Sequence, residues 1–293
     1  MSRRGWMLFL VVSTLWGLPY FMIRIAVREL DPVSVVMGRT LPAALVLLPI
    51  AWQSGALRTL RGHMKWLVLY TVVEFGIPWY LMASAEQHVT SSLASLIICA
   101  TPLISIVISK LLYPQRTIGR QRLIGLALGS IGVLALVGLE ISTDSAWWIG
   151  AMFLVAVGYA GGPQIISTKL TETSGLAVVA VSVSIVAAIY TPIGLVRWPD
   201  HVSGATWLSL GALALLCTIG AFLLFFALIK EVGPARSTVV TYLNTAIAVA
   251  LGVVFLREPL TAGMMIGFPI IVAGSIFATS ATKLVNEESH PTA

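Results

Sequence analysis

The chain reads as a succession of long apolar runs cut by short breaks of charged and turn-forming residues. A helix that crosses a bilayer needs about 20 mostly apolar residues. Cutting at the breaks gives ten such runs: 6–27, 33–53, 64–84, 90–112, 121–138, 146–169, 175–197, 205–228, 234–256 and 262–282. The connections between them are too short for a soluble domain. The pattern therefore predicts an all-α integral membrane protein with ten transmembrane helices. The first run follows a short basic stretch, as a signal peptide would. It is too long for a signal-peptide core and no small-x-small cleavage site follows, so it is read as a retained span.

Composition agrees with this reading. Of 293 residues, 58% are hydrophobic and 10% charged, against about half and a quarter in a soluble domain. The net charge of +6 does not indicate nucleic acid. The Lys and Arg residues lie in short loops, with no basic helix or arm to follow a phosphate backbone. Cys99 and Cys217 fall inside apolar runs and read as small buried side chains, not as a disulfide or metal pair.

Loop charge orients the chain. If the N-terminus is cytoplasmic, the inner segments carry Arg3, Arg4, Arg58, Arg61, Lys65, Lys110, Arg116, Arg120, Arg122, Lys169, Lys230, Arg236 and Lys283. The outer segments then carry Arg28, Arg197 and Arg257. Such a positive-inside bias predicts a multi-pass membrane protein with both termini in the cytoplasm. It also places the loops near Asp144 and Asp200 outside. Most tryptophans lie near span ends, as an interfacial belt requires. Trp16 and Trp79 lie well inside the first and third spans.

The two halves repeat. "IGLALGSIGVLAL" from Ile124 falls on "IGFPIIVAGSIFA" from Ile266, with Gly132 matching Gly274. At the start of each half, "GWMLFLVVSTLWGLPYFMIR" falls on "GAMFLVAVGYAGGPQIISTK", so that Trp16-Gly17 meets Gly161-Gly162 and Arg24 meets Lys169. The repeat units are residues 1–142 and 143–293, with five spans each. Five is odd, so the second copy enters the membrane from the opposite face. Inverted repeats of this kind mark secondary transporters, whose substrate site lies near the midplane between the halves. The fourth span of each half should line that site. This accounts for the polar group Thr241, Tyr242, Asn244 and Thr245 at the middle of the ninth span.

These features carry a family resemblance. The "LWG" at Leu15–Gly17, the two five-span halves and the junction "REPLTAGMMIG" at Arg257–Gly267 resemble the EamA type of the drug/metabolite transporter superfamily. The first-half junction "PQRTIGRQRLIG" departs from the pattern by lacking an acidic residue. Within the superfamily the whole sequence is most similar to bacterial aromatic amino acid exporters. The resemblance implies a carrier that exports small molecules across the bacterial inner membrane without a cofactor.

Glu74 is the acidic residue nearest the centre of any span. A carboxylate at that depth is costly and by default marks function or a specific partner. Pro78, four residues on, deprives Glu74's own carbonyl of its usual helical donor. Side chain and carbonyl together suit an ammonium group or a proton; the alternative is a neutral acid bonded to a neighbouring helix. Pro19, Pro102 and Pro163 should likewise free the carbonyls of Leu15, Ile98 and Tyr159, or else kink helices for packing. Ser237, Thr241, Asn244, Ala248 and Gly252 share one face of the ninth span. Ser91, Ser95, Ile98, Pro102, Ser105 and Ser109 form a similar stripe on the fourth. Small residues in such stripes serve close packing, whereas Asn244 and Tyr242 are better ligand candidates. Trp16, Tyr20, Trp79 and Tyr159 supply a candidate aromatic lining, and Gln164 joins them as a polar candidate. Arg24 and Lys169 fit snorkelling positions near span ends. Arg39, about six residues into the second span, is placed to attract a carboxylate near the outer side.

The sequence has no Gly-x-x-x-x-Gly-Lys-Ser/Thr, no His-Glu-x-x-His and no Gly-x-Ser-x-Gly. These absences argue against a nucleotide-driven pump, a zinc protease and a serine hydrolase. No charged ring suggests a channel. The expectation is a secondary exporter of aromatic and other neutral or apolar amino acids, not an enzyme. No cofactor or metal is called for, and the lipid bilayer is its environment. A single chain contains both halves and should function as a monomer. The alternatives are export of another small metabolite or drug, such as a nucleoside or sugar derivative, and a lipid-handling role.

Overall fold

The computed structural model describes residues 2–115, 119–138, 145–232 and 240–280, and their regular structure is entirely helical. Arg116, Asp144, Arg236, Ser237 and Lys283 lie outside the described residues. The first half holds α1 (Arg3–Ala26), α2 (Pro32–Gln53), α3 (Met64–Ala85), α4 (Ser91–Leu112) and α5 (Arg120–Gly138). The second holds α6 (Ala146–Lys169), α7 (Gly175–Val196), α8 (running from Gly204 to Val232), α9 (Val240–Phe255) and α10 (Ala262–Ser280). Among the described residues eight helices are long and apolar enough to cross a membrane, with α9 and α10 as shorter apolar helices. Boundaries fall where the apolar runs end because charges, prolines and helix caps coincide there. Asp31, for example, caps α2 by accepting from the Val33 N–H at 2.9 Å, with Pro32 at the first helical position.

The helices pair as an inverted repeat demands, with each helix of the first half equivalent to the one five places later. The equivalent helices α2 and α7, α4 and α9, and α5 and α10 pack on each other. The contact of α1 with α9 is mirrored by α6 with α4, and that of α1 with α8 by α6 with α3. The α5–α10 pair is a glycine seam. A Cβ added to Gly274 would lie 2.7 Å from Gly129 Cα and 2.8 Å from the Gly125 carbonyl oxygen. One added to Gly132 would lie 2.7 Å from the Ile271 nitrogen. With no hydrophobic effect to drive helices together inside lipid, such close backbone approach supplies the packing energy. Gly125, Gly129 and Gly267 are thus used within the chain.

The prolines act unequally. Pro102 follows a break in α4, which divides into Ser91–Ile98 and Thr101–Leu112. Pro78 follows a π-helical stretch, Val72–Gly76, that widens α3 at Glu74. By contrast, α1 and α6 run through Pro19 and Pro163 unbroken. A second π-helical stretch, Ala212–Gly220, lies in α8, the equivalent of α3. No proline announces it. There the Thr218 hydroxyl donates to the Leu213 carbonyl five residues back, at 2.8 Å.

One end of the bundle is tied by polar contacts. Glu258, in the junction before α10, accepts from the Ser91 and Ser92 backbone N–H groups at 2.8 and 2.9 Å and from their hydroxyls at 2.9 and 2.6 Å. The carboxylate satisfies the first donors of α4, where the helix dipole also favours negative charge. Gly252 leaves the room this needs, since a Cβ there would crowd both Glu258 and the two serine hydroxyls. At the same end Arg24 donates to the Glu86 carbonyl, and Arg197 pairs with Asp31 at 3.1 Å. Glu29 accepts from the Ser203 N–H and the Thr206 hydroxyl, both at 2.9 Å. Chiefly the backbone bond from Ser203, with the side-chain bonds from Ser203 and Thr206, holds the Glu29 carboxyl below the usual range. The half of α4 nearest this end is fully buried, whereas the far half is mostly part-exposed.

Candidate functional site

The site is built around the defect in α3. Widening at Val72–Gly76 turns Glu74 toward α6, where Gly158 and Gly162 lie one turn apart on the facing side. A Cβ on Gly158 would meet the Val73 carbonyl oxygen, and one on Gly162 would meet the Glu74 carboxyl. The two glycines therefore form the seat that receives the bulge. Tyr190 of α7 donates to the Gly76 carbonyl at 2.9 Å, satisfying one acceptor that the irregular helix exposes. Glu74 Oε2 is buried and accepts no hydrogen bond among the described residues. A buried carboxyl oxygen without a partner costs about 1–3 kcal/mol, and such groups require an explanation.

An aromatic run leads away from this seat. Trp16 of α1 meets Phe222 of α8 edge-on at 5.5 Å and lies 4.6 Å from Phe225. Phe222 lies 5.5 Å from Phe75, which is 4.8 Å from Trp79. Tyr70 adds a further edge contact to Phe75 at 5.6 Å. Trp79 is buried and carries the Arg39 guanidinium on its face, with Cζ 3.6 Å from the ring centroid. The Tyr159 phenol lies within electrostatic range of Arg39, Glu74 and the Trp79 indole, and Tyr20 within range of Arg39 and Tyr159.

The expected candidates are therefore partly gathered. Glu74, Trp79, Tyr159 and Tyr20 share one neighbourhood, and Trp16 reaches it through Phe222. Gln164 stands to one side, where its Nε2 donates to Ser105 Oγ of α4 at 3.2 Å. Asn244 and Tyr242 part company, because residues two apart on a helix do not share a face. Asn244 is buried against α1, where its carbonyl oxygen fits over Gly17, and its side-chain oxygen accepts from Thr245 at 3.3 Å. Tyr242 pairs instead with Ser275 of α10. Of the snorkelling candidates, Arg24 turns inward to the Glu86 carbonyl. Lys169 reaches the Trp66 ring, with Nζ 5.0 Å from its centroid.

Phe75, Phe222 and Thr218 were not singled out by sequence. Nothing marks them within apolar runs rich in similar residues, and only the π-helical stretches bring them to the centre. Glu86 was missed as well. It is fully buried at the end of α3, and both its carboxylate oxygens lack a hydrogen-bond partner among the described residues.

Paired five-helix halves, with helix defects and a buried carboxyl where they meet, make up the build of a membrane transporter. The EamA-like transporter family matches residues 3–138 and again 146–280, and the chain belongs to that family. YedA of Escherichia coli strain K12, described as an uncharacterized inner membrane transporter, is 26% identical over 90% of this chain and 87% of its own length. A probable amino-acid metabolite efflux pump of Salmonella typhimurium is 25% identical, covering 94% of each chain. A crystal structure superposes with a TM-score of 0.65 at 17% identity, covering 97% of this chain and all of the other, a likeness of fold. The protein is thus a multi-pass inner-membrane transporter, in a family of transporters and not of enzymes.

Proposed function

We infer that this transporter exports amino acids, favouring aromatic and other apolar ones, by alternating access between its two halves. The observation that carries the reading is the unpartnered Glu74 oxygen, seated over Gly162 beside the aromatic run from Trp16 to Trp79. A desolvated ammonium requires a carboxylate or carbonyl acceptor, and an apolar side chain requires apolar walls. Both lie together at the α3 defect. The efflux-pump relative points the same way, at low identity.

The two equivalent seats are not equally furnished. At α3 and α6, Gly161 and Gly162 leave space beside a carboxyl. At α8 and α1 the equivalent of Gly161 is Trp16, packed on Phe222 and Phe225. The cargo's charged end therefore belongs on the α3 side and its apolar end on the α8 side.

A melting series with purified protein tests the class of cargo. A ligand at a hundred times its Kd stabilises the bound fold by about 2.7 kcal/mol. Phenylalanine, tryptophan and leucine are expected to raise the Tm, and uridine and glucosamine to leave it unchanged. A shift with uridine or glucosamine but with no amino acid would sink the reading.

For an exporter the inner face must be the loading side, and the loop charges support a topology with both termini on that side. In intact cells Asp200→Cys is expected to react with an impermeant maleimide, and Arg61→Cys to stay unlabelled until the membrane is opened. The reverse pattern would invert the orientation.

A further inference from the structure

We propose that Arg39 is the anion-binding residue of this site and grips the carboxylate of the cargo, so that Arg39 and Glu74 select a zwitterion between them. The proposal rests on the amino-acid reading above and names how the cargo's second charge is held.

Arg39 is 6% exposed, on the membrane-spanning part of α2. A guanidinium stays charged in proteins, because its pKa is too high for it to shed a proton. Such a cation inside a bilayer is rare and calls for a counter-charge. None is present. Arg39 is in no ion pair among the described residues, and the titratable groups in electrostatic range of it are Tyr159, Cys217 and Tyr20. Glu74 is on another helix and is not paired with it, while the Glu258 carboxylate is taken up by Ser91 and Ser92.

What the structure does supply is orientation. Nε donates to Thr218 Oγ1 at 2.9 Å, the one hydrogen bond of Arg39 among the described residues. The Thr218 hydroxyl proton is itself committed to the Leu213 carbonyl, so its oxygen is held ready to accept. That arrangement depends on the π-helical stretch of α8, which brings Thr218 back over Leu213. The Trp79 ring covers the guanidinium, with Cζ 3.6 Å from its centroid. Of the five N–H groups of an arginine, one is thereby used and the terminal four are left for a ligand. An arginine locked by stacking and one side bond, with its terminal fork unspent, is arranged to take a planar carboxylate through two parallel bonds.

Both charges belong to one stretch of α3, since Arg39 lies over the Trp79 ring and Trp79 follows Glu74 by five residues. Tyr159 is in electrostatic range of both charges. An amine without a carboxylate would leave Arg39 unneutralised, and an acid without an amine would leave Glu74 unpaired. Discrimination follows from either omission.

The test is equilibrium dialysis of the purified full-length chain against phenylalanine, phenylalaninamide and 3-phenylpropionate. Loss of one charged hydrogen-bonding partner should cost about ten- to a hundredfold in affinity. Wild type is expected to bind phenylalanine that much more tightly than the amide. Arg39→Gln should bind the two equally, with its affinity for the amide unchanged. If Arg39→Gln does not fold, Thr218→Val replaces it, and a reduced preference for the carboxylate is expected. A wild-type preference retained in Arg39→Gln, or in Thr218→Val where that variant is used, overturns the assignment while leaving the amino-acid reading standing. Binding of 3-phenylpropionate alone by wild type, lost in the variant, upholds Arg39 and overturns the amino-acid cargo instead. No carboxylate preference in wild type, or no binding of any of the three, overturns the Arg39 assignment.

Discussion

Glu74→Gln is expected to slow amino-acid transport by about ten- to a hundredfold while leaving expression and folding intact. The substitution keeps the shape of the side chain and removes its charge. A hydrogen bond to a charged group contributes about 1.5–3 kcal/mol, and about 1.4 kcal/mol is a factor of ten. Folding should be spared because Glu74 Oε2 makes no bond in the protein that the amide would break. The seat tolerates an isosteric group, since the room beside it comes from the missing Cβ of Gly162. Transport rates in proteoliposomes, normalised to monodisperse protein, give the comparison. Wild-type rates in Glu74→Gln would make Glu74 a neutral structural acid and move the binding site elsewhere between the halves.

The largest effect on stability is expected from Gly274→Leu. At Gly274 the obstruction is backbone, since Gly129 Cα would lie 2.7 Å from a new Cβ. A flexible side chain can move aside, but a helix backbone has to be displaced along its length. Overpacking a close-packed core costs about 1–3 kcal/mol, and forcing α5 from α10 should reach or exceed the upper end. Size-exclusion profiles after detergent extraction should show loss of the monodisperse peak. Gly150→Leu is the control, because a Cβ at that position meets nothing within 4 Å. Equal profiles for the two variants would mean that the glycine seam does not hold these helices together.

Much of this architecture was legible in the sequence because lipid imposes a simple rule. Every backbone group must be satisfied within a span, so apolar length alone locates the helices. α6 begins and ends at the residues expected, 146 and 169. The break at Cys99 and Ala100 was legible for a related reason, since Pro102 cannot donate to the preceding turn.

The site was harder to read. Glu74 stands out because charge is scarce at that depth, and the glycines of α6 stand out through the repeat alignment. The π-helical stretch of α8 has no such marker, so nothing in the sequence sets Thr218 apart from other hydroxyls in apolar runs. Its relation to Arg39, 179 residues away, exists only once α2 and α8 meet. The separation of Tyr242 from Asn244 was available from helical periodicity alone. It was obscured because both are polar at the same depth. Glu258 was recognised as part of a family junction, but its role depends on the N-terminus of α4, 167 residues earlier.

The central claim is that amino acids are carried through this site, and counterflow tests it most directly. Proteoliposomes containing only the purified chain are loaded with unlabelled phenylalanine, diluted, and given labelled phenylalanine outside. The account predicts transient accumulation of label in wild-type vesicles, absent from protein-free vesicles and strongly reduced with Glu74→Gln. Absence of accumulation with phenylalanine, tryptophan and leucine, from vesicles that do exchange a nucleoside or an amino sugar, would contradict it.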